Sequence, residues 1–263
     1  MRMNAPAGTP AARPVPGRFE RAIVVGASSG IGAAIARRLA SGGTAVALVG
    51  RRQAELESIA AAIRAAGGRA LVARHDVTDY ADVPVTFERL VTELGGLDLV
   101  VYASGYMHVP EESEYDFAKD HRMIEVNVLG AMAWTNLAAA RFEAQRGGTI
   151  VGVSSIAGER GRRTMPGYTT SKAGLTAWLE ALRNRVSRYG VNVVTVKPGF
   201  VDTVMTQHLA KKPMMISADR AADLILGAAR RGGSPSRFIP GRWGLVALIV
   251  RHLPSFLFRK LDL

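Results

Sequence analysis

No cysteine occurs among the 263 residues, which excludes disulfides and thiolate metal sites and fits a reducing compartment such as the cytoplasm. The five histidines (His75, His108, His121, His208 and His252) show no close metal-ligand spacing, so no metal is expected. No run of about 18 apolar residues exists, which excludes a helix that crosses a membrane outright. Residues 1–18 are rich in Ala, Pro and Gly and lack the hydrophobic run of a secretory signal; they read as a disordered tail. No basic stretch is interleaved with aromatics as in a nucleic-acid platform, and no nucleic-acid partner is expected. No composition break or internal repeat divides the chain, which reads as one domain over 19–239 with an extension at 240–263.

Hydrophobic residues make up 48% of the chain, enough for a large core. The formal net charge is +12. That charge reads as an arginine-rich, solvated surface in preference to a general affinity for anions, because net charge speaks to solubility and steering rather than to a site.

From Arg21 onward, short apolar runs alternate with helical patterns. Strands are expected at Ala22–Val25, Ala45–Val49, Ala70–Ala73, Leu97–Val101, Thr149–Val153, Val191–Val196 and Arg237–Ile239. Helices are expected at Ile31–Ser41, Gln53–Ala66, Asp79–Leu94 (capped by Thr78 or Asp79), a long region Tyr115–Gln145, then Gly167–Arg188 and Ala218–Arg230. Continuously apolar strands alternating with helices imply a parallel sheet covered on both faces, an α/β doubly wound architecture of the Rossmann type.

Between the first strand and helix lies Val25-Gly26-Ala27-Ser28-Ser29-Gly30-Ile31-Gly32. Glycines let a backbone approach a ligand, and the helix N-terminus behind them offers free N–H groups to a phosphate. The spacing is G-x3-G-x-G, not G-x-G-x-x-G, and a tight turn is the bland alternative. After the second strand stands Gly50, where an NAD-preferring site places a carboxylate, followed by Arg51 and Arg52. Arg51 can pair bidentately with a 2′-phosphate, which favours NADP(H) over NAD(H). Farther along, Tyr168 and Lys172 share one helix face, a turn apart. A phenol with a reference pKa near 10 needs help to act as a base, and a nearby ammonium provides it. Alone, such a pair is weak evidence and reads better as a core-edge tyrosine beside a solvated lysine.

Taken together these stretches resemble the short-chain dehydrogenase/reductase family over Arg21–Arg230. The glycine stretch is similar to the family's T-G-x3-G-x-G, with Val25 where threonine is usual. The resemblance implies an oxidoreductase that passes a hydride between NADP(H) and a carbonyl or alcohol substrate, small or hydrophobic. It implies catalytic roles for Asn127, Ser155, Tyr168 and Lys172, with Ser155 standing thirteen residues before the tyrosine. Tyr168 is then the general acid/base, Lys172 holds the ribose and lowers the phenol pKa, and Asn127 supports a water path behind the lysine. Cofactor contacts are implied for Gly26, Ser28, Ser29, Gly30, Ile31, Gly32, Arg51, Arg52, Asp76, Val77, Ala103, Ser104, Gly105, Pro198, Gly199, Val201 and Thr203, besides Tyr168 and Lys172. One departure stands out: the family's N-N-A-G is here Tyr102-Ala103-Ser104-Gly105, without the two asparagine amides. A homodimer or homotetramer is the assembly the family implies. A non-catalytic NADP-binding regulator is the alternative function; epimerase or dehydratase chemistry is a weaker one.

Tyr106, Met107, Met165, Met205, Met214 and Met215 are candidates for the substrate side, since methionines adapt to apolar shapes, although core filling is the competing role. Arg160, Arg162 and Arg163 read as solvated rather than as receptors for an anionic substrate. Pro240–Leu263 combines apolar residues with flanking Arg and Lys, which suits an interfacial helix; packing on a sister subunit or over the substrate loop competes with it. The expected location is the cytoplasm, with peripheral membrane association through 240–263 as a second option.

Overall fold

The structure, a computed structural model, describes residues 18–207, 209, 212–233 and 236–261; the expected tail at 1–17 lies outside them. The apolar runs form strands β1 (Arg21–Val25), β2 (Ala45–Gly50), β3 (Ala70–Arg74), β4 (Leu99–Tyr102), β5 (Gly148–Val153) and β6 (Val191–Pro198). Two-residue strands β7 (Val201–Asp202) and β8 (Ile216–Ser217) pair with each other, and β9 (Ser236–Ile239) closes the main sheet. That sheet is seven-stranded and parallel, in the order β3-β2-β1-β4-β5-β6-β9.

Alternation along β1 explains why both faces must be covered. Ala22 and Val24 point into one cluster, Ile23 and Val25 into the other, and all four are fully buried. The first cluster is closed by α1 (Gly30–Ser41), α2 (Gln53–Ala65) and, from the far end of the chain, α7 (Ala218–Arg231). The second is closed by α3 (Val83–Leu94), α5 (Gly130–Ala144) and α6 (Pro166–Val186), with α4 (Phe117–Ile124) lying between α3 and α5 in the chain. Close approach is built in on the second face: a Cβ at Gly152 of β5 would lie 2.2 Å from the Leu179 side chain of α6. The chain ends in α8 (Trp243–His252) and α9 (Ser255–Phe258).

Strand order runs outward from β1 to β3 and then restarts at β4 on the other side. The carboxyl ends of β1 and β4 meet at Val25 and Tyr102, which share one register line. Ligands of open α/β sheets bind at such a switch point.

Three local expectations are corrected. The third helix starts at Val83, not Asp79. Asp76 takes the amide and hydroxyl of Thr78 into a side-chain turn (3.1 and 2.9 Å), and Pro84 then opens the helix. The fourth strand begins at Leu99 rather than Leu97, because Asp98 turns its carboxylate to the amides of Glu20 and Arg21 at 3.0 and 2.8 Å. The long helical region at 115–145 is two helices joined by a π-helical turn, Glu125–Leu129. That turn holds Asn127.

Candidate active site

The turn after β1 is shaped by backbone geometry. Gly26 has φ +90, a left-handed conformation, and an added Cβ would lie 2.5 Å from the Ser104 amide. A Cβ on Gly32 would meet the Gly26 carbonyl at 2.2 Å, so α1 can start this close to β1 only with glycine there. Behind the turn, the N-terminus of α1 presents unpaired N–H groups to a cleft of about 490 Å³. Every residue expected to contact a cofactor lines this cleft, as do Ser155, Tyr168 and Lys172. Asn127 sits just behind it, fully buried.

Tyr168 and Lys172 are carried by α6 and are both buried. Ser154, at the end of β5, anchors that helix: its hydroxyl donates to the Lys172 carbonyl at 2.9 Å and lies 2.7 Å from the Thr176 hydroxyl. Ser155 follows, its Oγ accepting from the Ala157 amide at 3.1 Å and hydrogen-bonded to the Tyr168 phenol. Burial raises the phenol above its ordinary range; the bond to Ser155 and the charge of Arg162 oppose it without overcoming it. Burial also depresses the Lys172 ammonium to about 8. Its Nζ lies 5.8 Å from the Tyr168 ring centroid and donates to the Val153 carbonyl at 3.1 Å. Arg162, a half-buried residue that the sequence reading left in solvent, is a second cation acting on the phenol.

Asn127 clamps the loop after β4. Its Nδ2 donates to the Tyr106 carbonyl (2.9 Å) and to Ser171 Oγ (2.8 Å), and its Oδ1 accepts from the Tyr106 amide (2.8 Å). Both amide hydrogens are thereby committed to protein. Tyr102 occupies the position of a family asparagine and makes a different tie. Its phenol donates to the Val126 carbonyl at 2.5 Å, inside the π-helical turn. The strand-four departure thus retains a strut between β4 and the segment that carries Asn127.

Asp76 Oδ2 faces Arg122 at 3.2 Å and Arg51 at 3.6 Å. Burial raises its pKa, but the Thr78 bonds and the two guanidiniums outweigh that and hold the carboxyl below its usual value. Arg52, rather than Arg51, reaches the phosphate turn, with Nη2 at 2.9 Å from Ser28 Oγ and 2.6 Å from Ser29 Oγ. No carboxylate stands at Gly50, and both guanidiniums flank the same rim of the cleft. These features fit an adenosine bearing a 2′-phosphate. Among the described residues, no group of acids and histidines could hold a metal ion.

On the substrate side the candidates divide. Tyr106, Met107 and Met205 line the cleft. Met165 packs beneath Tyr168, Met214 packs with Trp243, and Met215 is exposed. Of the loop arginines, Arg160 is not solvated: it donates to the Val250 carbonyl of α8 (2.8 Å) and stacks on Phe258 at 4.1 Å. The sequence reading also missed Lys197 and Glu159, a buried ion pair 2.6 Å long that joins β6 to the turn after Ser155. Nothing in a lone Lys-Pro-Gly or Gly-Glu-Arg string marks such a pair.

The sequence profile of the short chain dehydrogenases matches residues 20–214. Cis-4-hydroxycyclohexanecarboxylate dehydrogenase of Sinomonas cyclohexanicum is 36% identical over 211 residues, covering 80% of this chain and 83% of its own. The ketoacyl reductase HetN of Nostoc sp. is 32% identical over 203 residues, covering 76% of this chain and 71% of its own. Among solved structures, a short chain dehydrogenase from Burkholderia cenocepacia in complex with NADP superposes with a TM-score of 0.75. It is 28% identical, and the match covers 84% of this chain and 96% of that one. With its parallel sheet, its glycine turn at the switch point and these relatives, the chain belongs to the short-chain dehydrogenase/reductase family of oxidoreductases.

Proposed function

We propose that this protein is an NADP(H)-dependent oxidoreductase acting on a carbonyl or alcohol substrate, that Tyr168 is its general acid/base, and that it works as a homodimer or homotetramer. The observation that carries the reading is the Tyr168 phenol, buried at the floor of the cleft and hydrogen-bonded to Ser155. Bound in the cleft, the nicotinamide cofactor supplies or accepts the hydride. In the reducing direction Tyr168 gives its proton to the carbonyl oxygen, and in the oxidising direction it takes the proton back. Burial keeps the phenol protonated at neutral pH, so the acid is the form held ready. Ser155 donates to the same oxygen and keeps the phenol aligned. Lys172 has N–H donors left over from Val153 and offers them to the ribose hydroxyls. Asn127 acts through Tyr106 and Ser171, fixing the loop that faces the nicotinamide side.

Support for NADP(H) comes from Gly50 in place of a carboxylate, from Arg51 and Arg52 on the rim, and from the NADP complex of the Burkholderia relative. Support for an apolar-lined substrate side comes from Tyr106, Met107 and Met205, and support for a ring alcohol from the hydroxycyclohexanecarboxylate, itself a carboxylate, named for the Sinomonas relative. The test is NADPH oxidation against a panel of ketones, aldehydes and quinones, with NADH in parallel. Turnover of at least one carbonyl with NADPH preferred is the expected result. Tight NADPH binding without turnover of any carbonyl, or of any alcohol with NADP, would leave the non-catalytic regulator as the reading.

A further inference from the structure

From Trp243 to Val250, helix α8 carries no polar side chain on any side. Trp243 and Ala247 face inward at 5% and 1% exposure, while its outer arc carries Leu245, Leu248 and Ile249 at 66%, 55% and 59%. A ten-residue helix with three half-exposed aliphatics in one arc is not dressed for water. Just beyond it, Phe256 and Leu257 of α9 and then Leu261 continue the patch, at 57%, 41% and 40% exposure.

Charge on the helix pair is mainly basic. Arg242, Arg251, Arg259 and Lys260 lie in or beside α8 and α9, and the chain from Leu224 to Leu261 has no Asp or Glu. All four are exposed. Among the described residues, Arg251 faces the buried Glu159 and the other three face no acid.

The helix pair is held in place and is no loose tail. Trp243 packs with Ile156, Phe200 and Phe238, its ring 5.8 Å from Phe200. Arg160 ties the end of α8 through the carbonyls of Val250 and Leu253, reaches Ser255 Oγ at 3.2 Å, and stacks on Phe258. Arg251 pairs with Glu159, which Lys197 holds from the other side. An apolar surface kept rigid and outward, at this cost in anchoring contacts, has a partner.

We propose that α8 and α9 seat the protein on the surface of an anionic phospholipid bilayer, the apolar arc entering the headgroup boundary and the cations facing lipid phosphates. Charge complementarity selects this occupant. A second copy placed about a two-fold axis on the same face would bring its cations onto those of the first, with no acid between Leu224 and Leu261 to offset them. A lipid surface supplies both parts of the match, since interfacial binding combines buried apolar area with attraction to anionic headgroups. No helix among the described residues is long and apolar enough to cross the membrane, so the contact is peripheral.

The experiment is co-sedimentation of the full chain with vesicles of phosphatidylcholine alone and of phosphatidylcholine mixed with phosphatidylglycerol. Binding to the mixed vesicles, weakened by salt and much reduced on phosphatidylcholine alone, is expected. Replacing both Arg259 and Lys260 by Gln should weaken it roughly 25-fold, at about fivefold per charge near the surface. A Leu248→Glu/Ile249→Glu variant should lose it, with an unchanged unfolding temperature and an unchanged mass by light scattering. Both pairs lie on the exposed surface, so the fold survives either change. If the wild type ignores anionic vesicles, or if either variant binds them as well as wild type, the proposal fails. If the Leu248→Glu/Ile249→Glu variant instead falls to a smaller oligomer, the face belongs to a second copy and the proposal fails equally.

Discussion

Cofactor choice is where charge and geometry make the sharpest quantitative demand. Arg51 and Arg52 flank the rim, but differently. Arg51 is 61% exposed and shares its charge with Asp76 at 3.6 Å; Arg52 is 46% exposed and lies directly over Ser28 and Ser29. A unit charge pair at 4 Å is worth about 1 kcal/mol in bulk water and about 4 kcal/mol near a protein surface. Arg52, half-exposed, has an acid of its own in Glu55 at 3.7 Å but lies on the serines of the phosphate turn; about 1.5–2 kcal/mol is the reasonable middle, or roughly 10–30-fold in affinity. For Arg51, more exposed and without a contact to the phosphate turn, about 1 kcal/mol remains, roughly fivefold. Arg52→Ala should therefore lower kcat/KM for NADPH more than Arg51→Ala does, and the double variant should lose roughly 100-fold. NADH carries no 2′-phosphate, so its kcat/KM should stay within about twofold. The assay is initial-rate kinetics with both cofactors at low and high salt, where screening should shrink the wild-type preference. An NADPH to NADH ratio unchanged in the double variant would refute the reasoning, and an Arg51 effect larger than that of Arg52 would refute the ranking.

Other consequences are simpler. Tyr102→Phe removes the donor to the Val126 carbonyl in a fully buried site, so denaturant unfolding should show a loss of about 1–3 kcal/mol; no measurable change would mean that the strut carries nothing. Burial depresses Lys172 to about 8, and in the proposed mechanism its charged form is the one that holds the ribose. NADPH affinity should thus fall as pH rises through 8, and calorimetry above that pH should show proton uptake on binding; pH-independent affinity would contradict this. Glu159→Gln strands the buried Lys197 ammonium and should cost about 3–5 kcal/mol of stability, much of it recovered by adding Lys197→Met, a pattern that additive single effects would not produce.

Much of the architecture was legible because it rests on local pattern. Runs such as Ala22–Val25 and Val191–Val196 must be strands buried on both faces, and Ser155, Tyr168 and Lys172, singled out by the family resemblance, line one cleft. What escaped rests on contacts distant in sequence. Asp76 shortens α3 only because its carboxylate is drawn into the Thr78 turn and toward Arg51 and Arg122. The π-helical turn at Glu125–Leu129 has no compositional mark, and its strut arrives from Tyr102 on another element. Arg160 read as a solvated loop residue, since its partners lie some ninety residues away in α8. Arg51 and Arg52 were both flagged from neighbours in sequence, but which one covers the serines depends on how the chain turns into α2.

The central claim is that a buried phenol moves the proton in a hydride-transfer reaction. Tyr168→Phe tests it most directly, by measuring turnover of the best carbonyl substrate alongside NADPH binding by fluorescence. Turnover should fall at least about 100-fold, the low end for loss of a positioned general acid, while the NADPH Kd stays within about threefold. Near-normal turnover in a variant that still binds NADPH would contradict the claim.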